Sequence, residues 1–385
     1  MSSLKAPKVI LPGATIGMVG GGQLGRMFSM AAASMGYEVV VFCESSDEPA
    51  AQVAHRSVIG KLGDASAVDT FARQCDVITL EFENIPAETI ARCGQYAPTY
   101  PSASVLATAQ DRLREKTTFR DAGLPVTPMA AVNDLDTLRA ASESLGWPMI
   151  VKTARSGYDG KGQVRVESIA DAERVPWKDC DAWIAERCIE FDLEVSVVVA
   201  RTVEGKQVAF PAFENSHRNH ILDVTVTPAS IPEGVADEAV RIAFAASEVI
   251  DVVGLLCVEF FVRGDQVMIN EVAPRPHNSG HLSIEACVTS QFEQHVRAIC
   301  NLPLGSTALR SGAAAMANLL GDLWAEDGTP PKWERVFHDP SISLHLYGKR
   351  SAKRGRKMGH LTATGTSVDS VRRAVLESRD RLQQP

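Results

Sequence analysis

Several features typical of other protein classes are absent from the sequence. No apolar run approaches the length of about 18 residues that a membrane-spanning helix needs, and the first residues lack the apolar core of a secretory signal. The eight cysteines form no CxxC pair and no Cys/His spacing typical of zinc, so we expect buried thiols in a reducing cytoplasm. The formal net charge of −8 argues against general nucleic-acid binding, and anionic substrates would require locally concentrated positive charge.

The remaining composition is that of an ordinary globular protein. Hydrophobic residues make up 45% of the chain and charged residues 22%, and there is no extended low-complexity segment. A chain of 385 residues is long for one hydrophobic core, so we expect two or three domains.

A predicted hairpin within residues 254–281 carries the most informative pattern. Residues 258–262 and 266–272 read as β-strands joined by a Gly-Asp turn, with Glu259 in one strand and Glu271 in the other. If the turn has an odd number of residues centred on Asp265, these carboxylates face each other, which is destabilising unless a cation lies between them. Mg²⁺, which keeps waters and phosphate oxygens as ligands, suits two carboxylates. The alternative is an exposed hairpin whose acids point to water, but its flanking positions are strongly apolar.

A group of hydrogen-bond donors follows the second of these strands. Arg275, His277 and Asn278 stand within four positions of one another and suit a small anion. The sequence therefore predicts a metal site and an anion site side by side.

The first hundred residues resemble a dinucleotide-binding fold. Gly20, Gly22 and Gly25 fit GxGxxG between a predicted strand and helix, and Glu44 ends the next strand, as a ribose-binding acid would. This segment alone favours NAD. Physically, however, a helix N-terminus with close backbone approach favours any anion or polar ligand, and Gln23 adds a side-chain amide there.

A further buried strand ends in the acids Glu81 and Glu83 and the amide Asn84. Such a group at the carboxyl edge of a parallel sheet suits the hydroxyls of a sugar. The alternative is that these side chains cap a helix that begins near Pro86.

The middle of the chain contains a pattern suited to phosphates. A strand ends at Lys152, a loop holds Lys161 and three glycines, and a return strand follows. The loop is not a Walker A motif, because no helix follows it, but its N–H groups can close over phosphates as a lid. The alternative is an ordinary long hairpin. Upstream, Arg112 and Lys116 share a helix face that, taken alone, would be a solvated basic face.

The next segments are weaker signals. Glu186 ends one predicted strand and Glu194 opens the next, so the linker backbone suits an adenine edge and Glu194 suits ribose hydroxyls. His217 and His220 are expected in a polar loop, where their spacing does not predict a metal pair.

The order of these parts resembles the ATP-grasp superfamily, in which two α+β lobes hold ATP between them. Within it, the segments GGGQLGRM, EFENIP, SGYDGKGQ, FPAFENSH, NEVAPRPHNSGH and HLYGK with GRKMGH resemble the N5-carboxyaminoimidazole ribonucleotide synthetases of purine biosynthesis. The resemblance extends from about residue 14 to about residue 362. It implies an ATP-grasp fold with a Rossmann-like N-terminal domain (1–104), a small lobe (105–185), a large lobe (186–303) and a small β-rich C-terminal domain (304–385).

The resemblance also implies roles for individual positions. The implied ATP contacts are Arg112, Lys152, Gly157, Tyr158, Asp159, Gly160, Lys161, Gly162, Gln163, Glu186, Arg187, Cys188, Ile189, Glu194, His217, Asn270 and Glu271. The implied Mg²⁺ ligands are Glu259 and Glu271. The implied bicarbonate contacts are Arg275, His277 and Asn278, and Tyr158 and Asp159 lie on the lid that is implied to cover them. The implied contacts to aminoimidazole ribonucleotide are Gln23, Leu24, Glu81 and Asn84, with Lys349 and Arg356 at its 5′-phosphate.

The C-terminal region is then expected to supply that phosphate site. Two predicted strands, a basic loop (351–359), a last strand and a surface helix follow residue 312. A nucleic-acid patch is the alternative for the loop, but it contains no interleaved aromatic residues.

The implied reaction is ATP-dependent carboxylation of 5-aminoimidazole ribonucleotide by bicarbonate, through carboxyphosphate. The general base stays open among His277, Asp159 and the departing phosphate. A homodimer and a separate downstream mutase are the implied partners, in the cytoplasm. The rival interpretations are another ATP-grasp ligase, such as a formate-dependent glycinamide ribonucleotide transformylase, an NAD-binding protein, and a non-catalytic ATP-binding module.

Overall fold

The computed structural model describes residues 8–155 and 162–383, which form three β-sheets with helices packed on them. The N-terminal sheet is parallel, with strand order β3-β2-β1-β4. Its strands are runs of Val, Ile and Leu because helices cover both faces. Its elements are β1 (Thr15–Val19), α1 (Gln23–Ser34), β2 (Glu38–Cys43), β3 (Arg56–Ile59), α2 (Ala65–Ala72), β4 (Val77–Leu80) and α3 (Ala87–Cys93).

Two helices lead to a second, antiparallel sheet of order β5-β8-β6-β7. Here the elements are α4 (Ala103–Ala109), α5 (Arg112–Asp121), β5 (Met129–Val132), α6 (Leu135–Leu145), β6 (Met149–Thr153), β7 (Gln163–Val166) and β8 (Trp183–Arg187). The strand before the glycine loop and the return strand are thus confirmed as β6 and β7. The domain boundary expected at 185/186 falls inside β8.

The third sheet has nine strands and includes the strands of the C-terminal region, because β12 pairs with β15. Its elements are β9 (Leu193–Arg201), β10 (Gln207–Ala209), β11 (Phe213–Arg218), β12 (Ile221–Thr227), α7 (Glu233–Val249), β13 (Gly254–Arg263), β14 (Gln266–Ala273), α8 (Ser283–Ala286), α9 (Gln291–Ile299), β15 (Ala313–Leu320), β16 (Ile342–Leu346), β17 (Lys357–Gly365) and α10 (Val368–Leu382).

The core of this sheet supports the predicted hairpin. α7 buries Ile242 and Ala246 against β9 and β13, where Val197 and Leu256 lie fully buried. Burying one such large aliphatic side chain contributes about 1.5–3 kcal/mol, so the hairpin lies on a rigid base.

A buried contact fixes the N-terminal sheet against this base. His295 of α9 places Nε2 2.8 Å from Oγ1 of Thr79 in β4, and its ring meets Phe28 of α1 edge-on. Burial lowers the pKa of His295 to about 3, so the ring is neutral and suits an apolar interface. The carboxyl ends of β1 and β4 are thereby held near β13 and β14. No helix in the described part of the chain combines the length and apolarity needed to cross a membrane.

Candidate active site

Glu259 and Glu271 are directly opposite each other in the β13–β14 ladder, as predicted. The reason given for that register was wrong. The turn has only two residues, Gly264 and Asp265, because Arg263 pairs with Gln266, and an even turn would place Glu259 opposite Asn270. A β-bulge next to Glu259 shifts the register by one residue and brings Glu271 into place.

The electrostatics of this pair suit a cation. Burial favours the neutral form of both acids, but His277 holds the pKa of Glu259 at about 2. The pKa of Glu271 is raised because the cleft partly removes its carboxyl group from water and because Glu259 is negatively charged. Solvent still reaches the side chain. Asn270, the bulge residue next to Glu271, has a buried Oδ1 without a hydrogen-bond partner among the described residues. A divalent ion would relieve the repulsion, and these oxygens are the ligands that Mg²⁺ prefers.

Protein ligands for such an ion are few. Within the described ranges, no group of three or more His, Cys, Asp or Glu side chains is arranged to hold a metal. Two carboxylates leave most coordination positions to water and phosphate oxygens, which is the usual arrangement for Mg²⁺ at a nucleotide.

The turn after β14 lies against the metal pair. His277 places Nε2 3.0 Å from Oε1 of Glu259 and Nδ1 2.8 Å from Oγ of Ser279, so both ring nitrogens are engaged. Burial opposes its charge, but Cys257 and Glu259 raise the pKa of His277 to about 10. Glu259 therefore stabilises a proton on Nε2 of His277, while Nδ1 accepts the N–H of Ser279 at 3.3 Å.

The two other predicted anion ligands have strong partners of their own. Arg275 binds both carboxylate oxygens of Glu83 through Nε and Nη2 and also donates to the carbonyl of Pro276. Burial opposes this charge pair, but Arg275 lowers the pKa of Glu83 to about 2. Asn278 exchanges hydrogen bonds with Asn318 through both amide atoms. Any anion there would meet the remaining N–H groups of Arg275 and Asn278.

The nucleotide side is organised by a buried carboxylate. Glu186 at the end of β8 is 3% exposed and places Oε2 3.0 Å from Nζ of Lys152. Its other oxygen lies 3.3 Å from Nζ of Lys116. Burial disfavours the charge of Glu186, but the two ammonium groups lower its pKa. Lys152 is therefore held at a fixed place in the cleft.

The linker after β8 is held by contacts to neighbouring segments. The Arg187 side chain turns away and donates to the carbonyls of Ser144 and Leu145. Cys188 donates its N–H to Pro148, and its sulfur contacts Arg165.

His217 does not lie in a polar loop, and that expectation was wrong. It belongs to β11, in a hairpin whose two-residue turn is Asn219 and His220, both with positive φ. Its Nδ1 contacts the carboxylate of Glu194, the predicted ribose acid. Burial opposes the charged ring, but Glu194 raises the pKa of His217.

The glycine turn after β1 is already filled by a side chain. The carboxylate of Glu81 accepts hydrogen bonds from the N–H groups of Gly22 and Gly25, and a Cβ on Gly22 would clash with it. A carboxyl group of the protein therefore occupies the helix N-terminus where a dinucleotide would place its pyrophosphate. This arrangement excludes the NAD interpretation of the GxGxxG pattern.

The alternative interpretation, that Glu81, Glu83 or Asn84 caps the following helix, is wrong. Pro86 precedes α3, and no side chain in the described part of the chain caps that helix. Glu81 instead caps α1, and Glu83 binds Arg275. Gln23 and Leu24 occupy the first turn of α1 beside Glu81, and Asn84 is exposed at the same edge of the sheet.

Lys349 and Arg356 line one cavity, of about 150 Å³. Its other wall is the loop 45–49 after β2, and Arg350 contributes a further cation. Burial and the charge of Arg356 lower the pKa of Lys349 to about 8. The chain around Lys349 is fixed by two hydrogen bonds to backbone carbonyls. The side-chain amide of Gln52 donates to the carbonyl of Gly348, and the ammonium group of Lys349 donates to that of Lys357.

Three family profiles match the chain in succession. They are the ribonucleotide synthetase preATP-grasp domain over residues 13–110, the ATP-grasp domain over residues 117–292 and the phosphoribosylaminoimidazole carboxylase C-terminal domain over residues 314–374. The Bacillus subtilis N5-carboxyaminoimidazole ribonucleotide synthase is 39% identical over 361 residues, which is 92% of each chain. The chain belongs to the N5-carboxyaminoimidazole ribonucleotide synthetase family.

Other relatives agree with this family. The Brucella melitensis N5-carboxyaminoimidazole ribonucleotide synthase is 41% identical and is covered to 96%. A bifunctional purine synthesis protein of Dictyostelium discoideum is also 41% identical, but the chain spans only 37% of its length.

Solved structures confirm the predicted ATP-grasp fold. An ADP complex of an N5-carboxyaminoimidazole ribonucleotide synthetase, 39% identical, superposes with a TM-score of 0.90 and covers 98% of this chain and 100% of its own. The Aspergillus clavatus enzyme in complex with ADP and 5-aminoimidazole ribonucleotide is 29% identical, with a TM-score of 0.85 over 96% of this chain and 99% of its own.

The family's glycine loop falls partly outside the described residues. Gly157, Tyr158, Asp159, Gly160 and Lys161, all predicted to contact ATP or bicarbonate, belong to this part. The described Gly162 has φ of +73°, and its carbonyl accepts a hydrogen bond from the N–H of Thr153, while Gln163 pairs with Lys152.

Sequence reasoning missed several residues of the cleft. Lys116 is 1% exposed, so the solvated basic face expected for it and Arg112 is wrong for Lys116. Glu115 is 2% exposed, and burial together with the charge of Glu271 raises its pKa well above the usual range. A signal was available in both cases, because these positions lie one turn before Phe119 on the face of α5 that is buried.

Proposed function

We propose that the protein carboxylates the amine of 5-aminoimidazole ribonucleotide with bicarbonate, coupled to the conversion of ATP to ADP and phosphate. The observation that carries this proposal is the contact between His277 and Glu259, which joins the anion turn to the carboxylate pair. The names of the curated relatives and the ligands named for the solved structures support it.

The first step requires phosphorylation of bicarbonate, because bicarbonate itself is a poor electrophile. A bicarbonate oxygen attacks the γ-phosphorus of ATP, the bond to the β-phosphate oxygen breaks, and ADP leaves. Such a transfer depends on positioning and charge neutralisation far more than on covalent help. Lys152, held by Glu186, and Arg275, held by Glu83, are placed to supply fixed positive charge.

A metal ion is part of this proposal. Glu259 and Glu271, with Asn270 beside them, would hold Mg²⁺, which would neutralise charge on the β- and γ-phosphates. The opposed carboxylates and the orphaned amide oxygen of Asn270 support that assignment.

In the second step the amine attacks the carboxyl carbon of carboxyphosphate, or CO₂ released from it, and phosphate departs. The amine must lose a proton. Because Glu259 and Ser279 engage both ring nitrogens of His277, we assign this ring to charge stabilisation rather than to the general base. The departing phosphate and Asp159 stay as candidates for the base.

The ribonucleotide is proposed to lie between α1 and the C-terminal basic loop. Its 5′-phosphate would enter the cavity lined by Lys349 and Arg356, since a phosphate monoester needs one or two well-placed cations. Gln23, Leu24 and Asn84 then lie on the side of its sugar and base, and Glu81 orders the glycine turn beside them. The ATP roles of Arg112, the 186–189 linker, Glu194 and His217 are proposed on the same basis.

The direct test is ADP release measured with and without 5-aminoimidazole ribonucleotide and bicarbonate. We expect ADP release to need both, and formate not to replace bicarbonate. Release with formate and glycinamide ribonucleotide instead would establish the rival ligase. A thermal shift with MgATP and none with NAD is expected as well. The homodimer, the separate mutase, the cytoplasmic location and the four-part domain division stay predictions.

A further inference from the structure

The short segment 110–112 joins α4 to the first residue of α5 and touches both halves of the cleft. On the nucleotide side, the N–H of Arg112 donates to the carbonyl of Ala154 at 2.9 Å, and Asp111 forms a β-bridge with Arg155. Arg155 also places Nη2 3.2 Å from Oε1 of Gln110. The segment is therefore tied to the chain that leaves β6, only a few residues beyond Lys152.

The other half of the Gln110 amide faces the ribonucleotide side. Its Nε2 lies 2.5 Å from the carbonyl oxygen of Glu83 and 2.6 Å from that of Ile85. Both amide hydrogens are thus committed to the loop 83–85 after β4. One side chain joins the end of β6 to this loop.

That loop in turn holds the anion site. The carboxylate of Glu83, whose own carbonyl is bound by Gln110, grips Nε and Nη2 of Arg275. The side chain of Arg275 is only 17% exposed, and Glu83 binds two of its three guanidinium nitrogens. The contacts run without a break from Arg155 through Gln110 and Glu83 to Arg275.

A purely local role does not account for the Gln110 side chain. The C-terminal end of α4 is already satisfied by backbone, because the N–H of Gln110 donates to the carbonyl of Leu106 at 2.9 Å. The side chain instead makes bonds to two segments far away in the sequence, one on each side of the cleft.

We propose that Gln110 is a positioning residue that keeps Arg275 in register with the nucleotide side of the cleft, acting through the loop 83–85 and Glu83. This inference rests on the proposed function, in which Arg275 holds bicarbonate. When the register is lost, bicarbonate no longer stands in line with the γ-phosphorus. A water oxygen then attacks instead, the bond to the β-phosphate oxygen breaks, and ADP and phosphate form without a carboxylated product.

The test compares ADP released with ribonucleotide consumed in the Gln110→Met enzyme. Methionine keeps the length of the side chain but neither donates to the loop nor accepts from Arg155. We expect kcat/KM for bicarbonate to fall about tenfold or more, because all three hydrogen bonds of the side chain are lost and the reacting groups shift. ADP release should exceed ribonucleotide consumption, while KM for ATP stays near that of the wild type. A merely structural role would lower activity without changing this ratio.

Two further variants sharpen the test. Gln74→Met is the matched control, since Gln74 lies just after α2 and donates to the carbonyl of Thr70 in that helix. The Gln74→Met enzyme should release ADP and consume ribonucleotide in equal amounts. The double variant Glu83→Gln with Gln110→Met should lose less activity than the product of the two single fold-losses, because both residues act on Arg275.

The outcomes separate the two proposals. If the wild-type enzyme releases no ADP in response to ribonucleotide and bicarbonate, the proposed function fails. The role of Gln110 is overturned in either of two cases, provided that the wild type releases one ADP for each ribonucleotide consumed. In the first, the Gln110→Met enzyme keeps that one-to-one ratio. In the second, the fold-loss of the double variant equals the product of the two single fold-losses.

Discussion

The imidazole of His277 lies 3.0 Å from a carboxylate oxygen of Glu259, so the turn after β14 and the acid pair on the β13–β14 hairpin form one continuous site. The same hairpin supplies Glu271 opposite Glu259 through a one-residue bulge. A phosphoryl group bound by a cation at the acids would therefore face an anion bound at the turn.

Replacing Glu271 tests the metal half of this site. The Glu271→Gln enzyme keeps the size of the side chain but loses one of the two carboxylates proposed to hold Mg²⁺. We expect ADP release dependent on ribonucleotide to fall by about 10²-fold or more. Glu238→Gln, an acid on the solvent side of α7, is the control and should retain activity. Near-normal ADP release by Glu271→Gln would refute a carboxylate-held ion.

Lys349 tests the phosphate cavity. In the Lys349→Ala enzyme one of the cations that line the cavity is missing, so KM for the ribonucleotide should rise about tenfold to a hundredfold. KM for ATP should not change. A rise in KM for ATP alone would mean that the basic loop contacts ATP, and it would contradict the proposed site for the 5′-phosphate.

The same lysine predicts a pH dependence. Because burial lowers the pKa of Lys349 to about 8, its charge is present below that pH and is lost above it. The value of kcat/KM for the ribonucleotide, which reports the free enzyme, should therefore fall as the pH rises through about 8. Lys349→Arg should stay charged and remove this fall. An unchanged profile in the arginine variant would assign the titration to another group.

Lys116 tests the buried charge cluster. Lys116→Met leaves Glu186, which is 3% exposed, with Lys152 alone. The free energy of unfolding should fall by about 3–5 kcal/mol, because a buried carboxylate loses one of its partners. Chemical denaturation measures this, and the double variant Lys116→Met with Glu186→Gln should recover part of the loss. Equal stability of wild type and Lys116→Met would contradict the role of the cluster.

The sequence predicted the order of the parts better than their local geometry. The opposition of Glu259 and Glu271 was predicted correctly, but for a wrong reason, because a bulge at Asn270 leaves no mark in the alternation of side chains. His217 was expected in a loop because Asn219 and His220 look like loop residues, yet their positive φ angles make a tight hairpin turn.

Long-range partners were beyond reach of the sequence. Glu81 caps a helix that begins 58 positions earlier, at Gln23, and Glu83 binds Arg275 with a separation of 192 residues. The partner of Lys116 is Glu186, which arrives from another strand, and the position of Lys116 on the Phe119 face of α5 does not reveal that partner. The contact of Asp47 with Arg350 across the cavity is likewise set by the packing of whole domains.

Transfer of the γ-phosphoryl group to bicarbonate is the step on which every assigned role depends. Bicarbonate labelled with ¹⁸O, supplied with ATP and 5-aminoimidazole ribonucleotide, tests it most directly. If bicarbonate attacks the γ-phosphorus, one labelled oxygen must appear in the inorganic phosphate, which mass spectrometry detects. ADP formed together with phosphate that carries no label would mean that water is the nucleophile, and would contradict carboxyphosphate and the site described around Glu259 and His277.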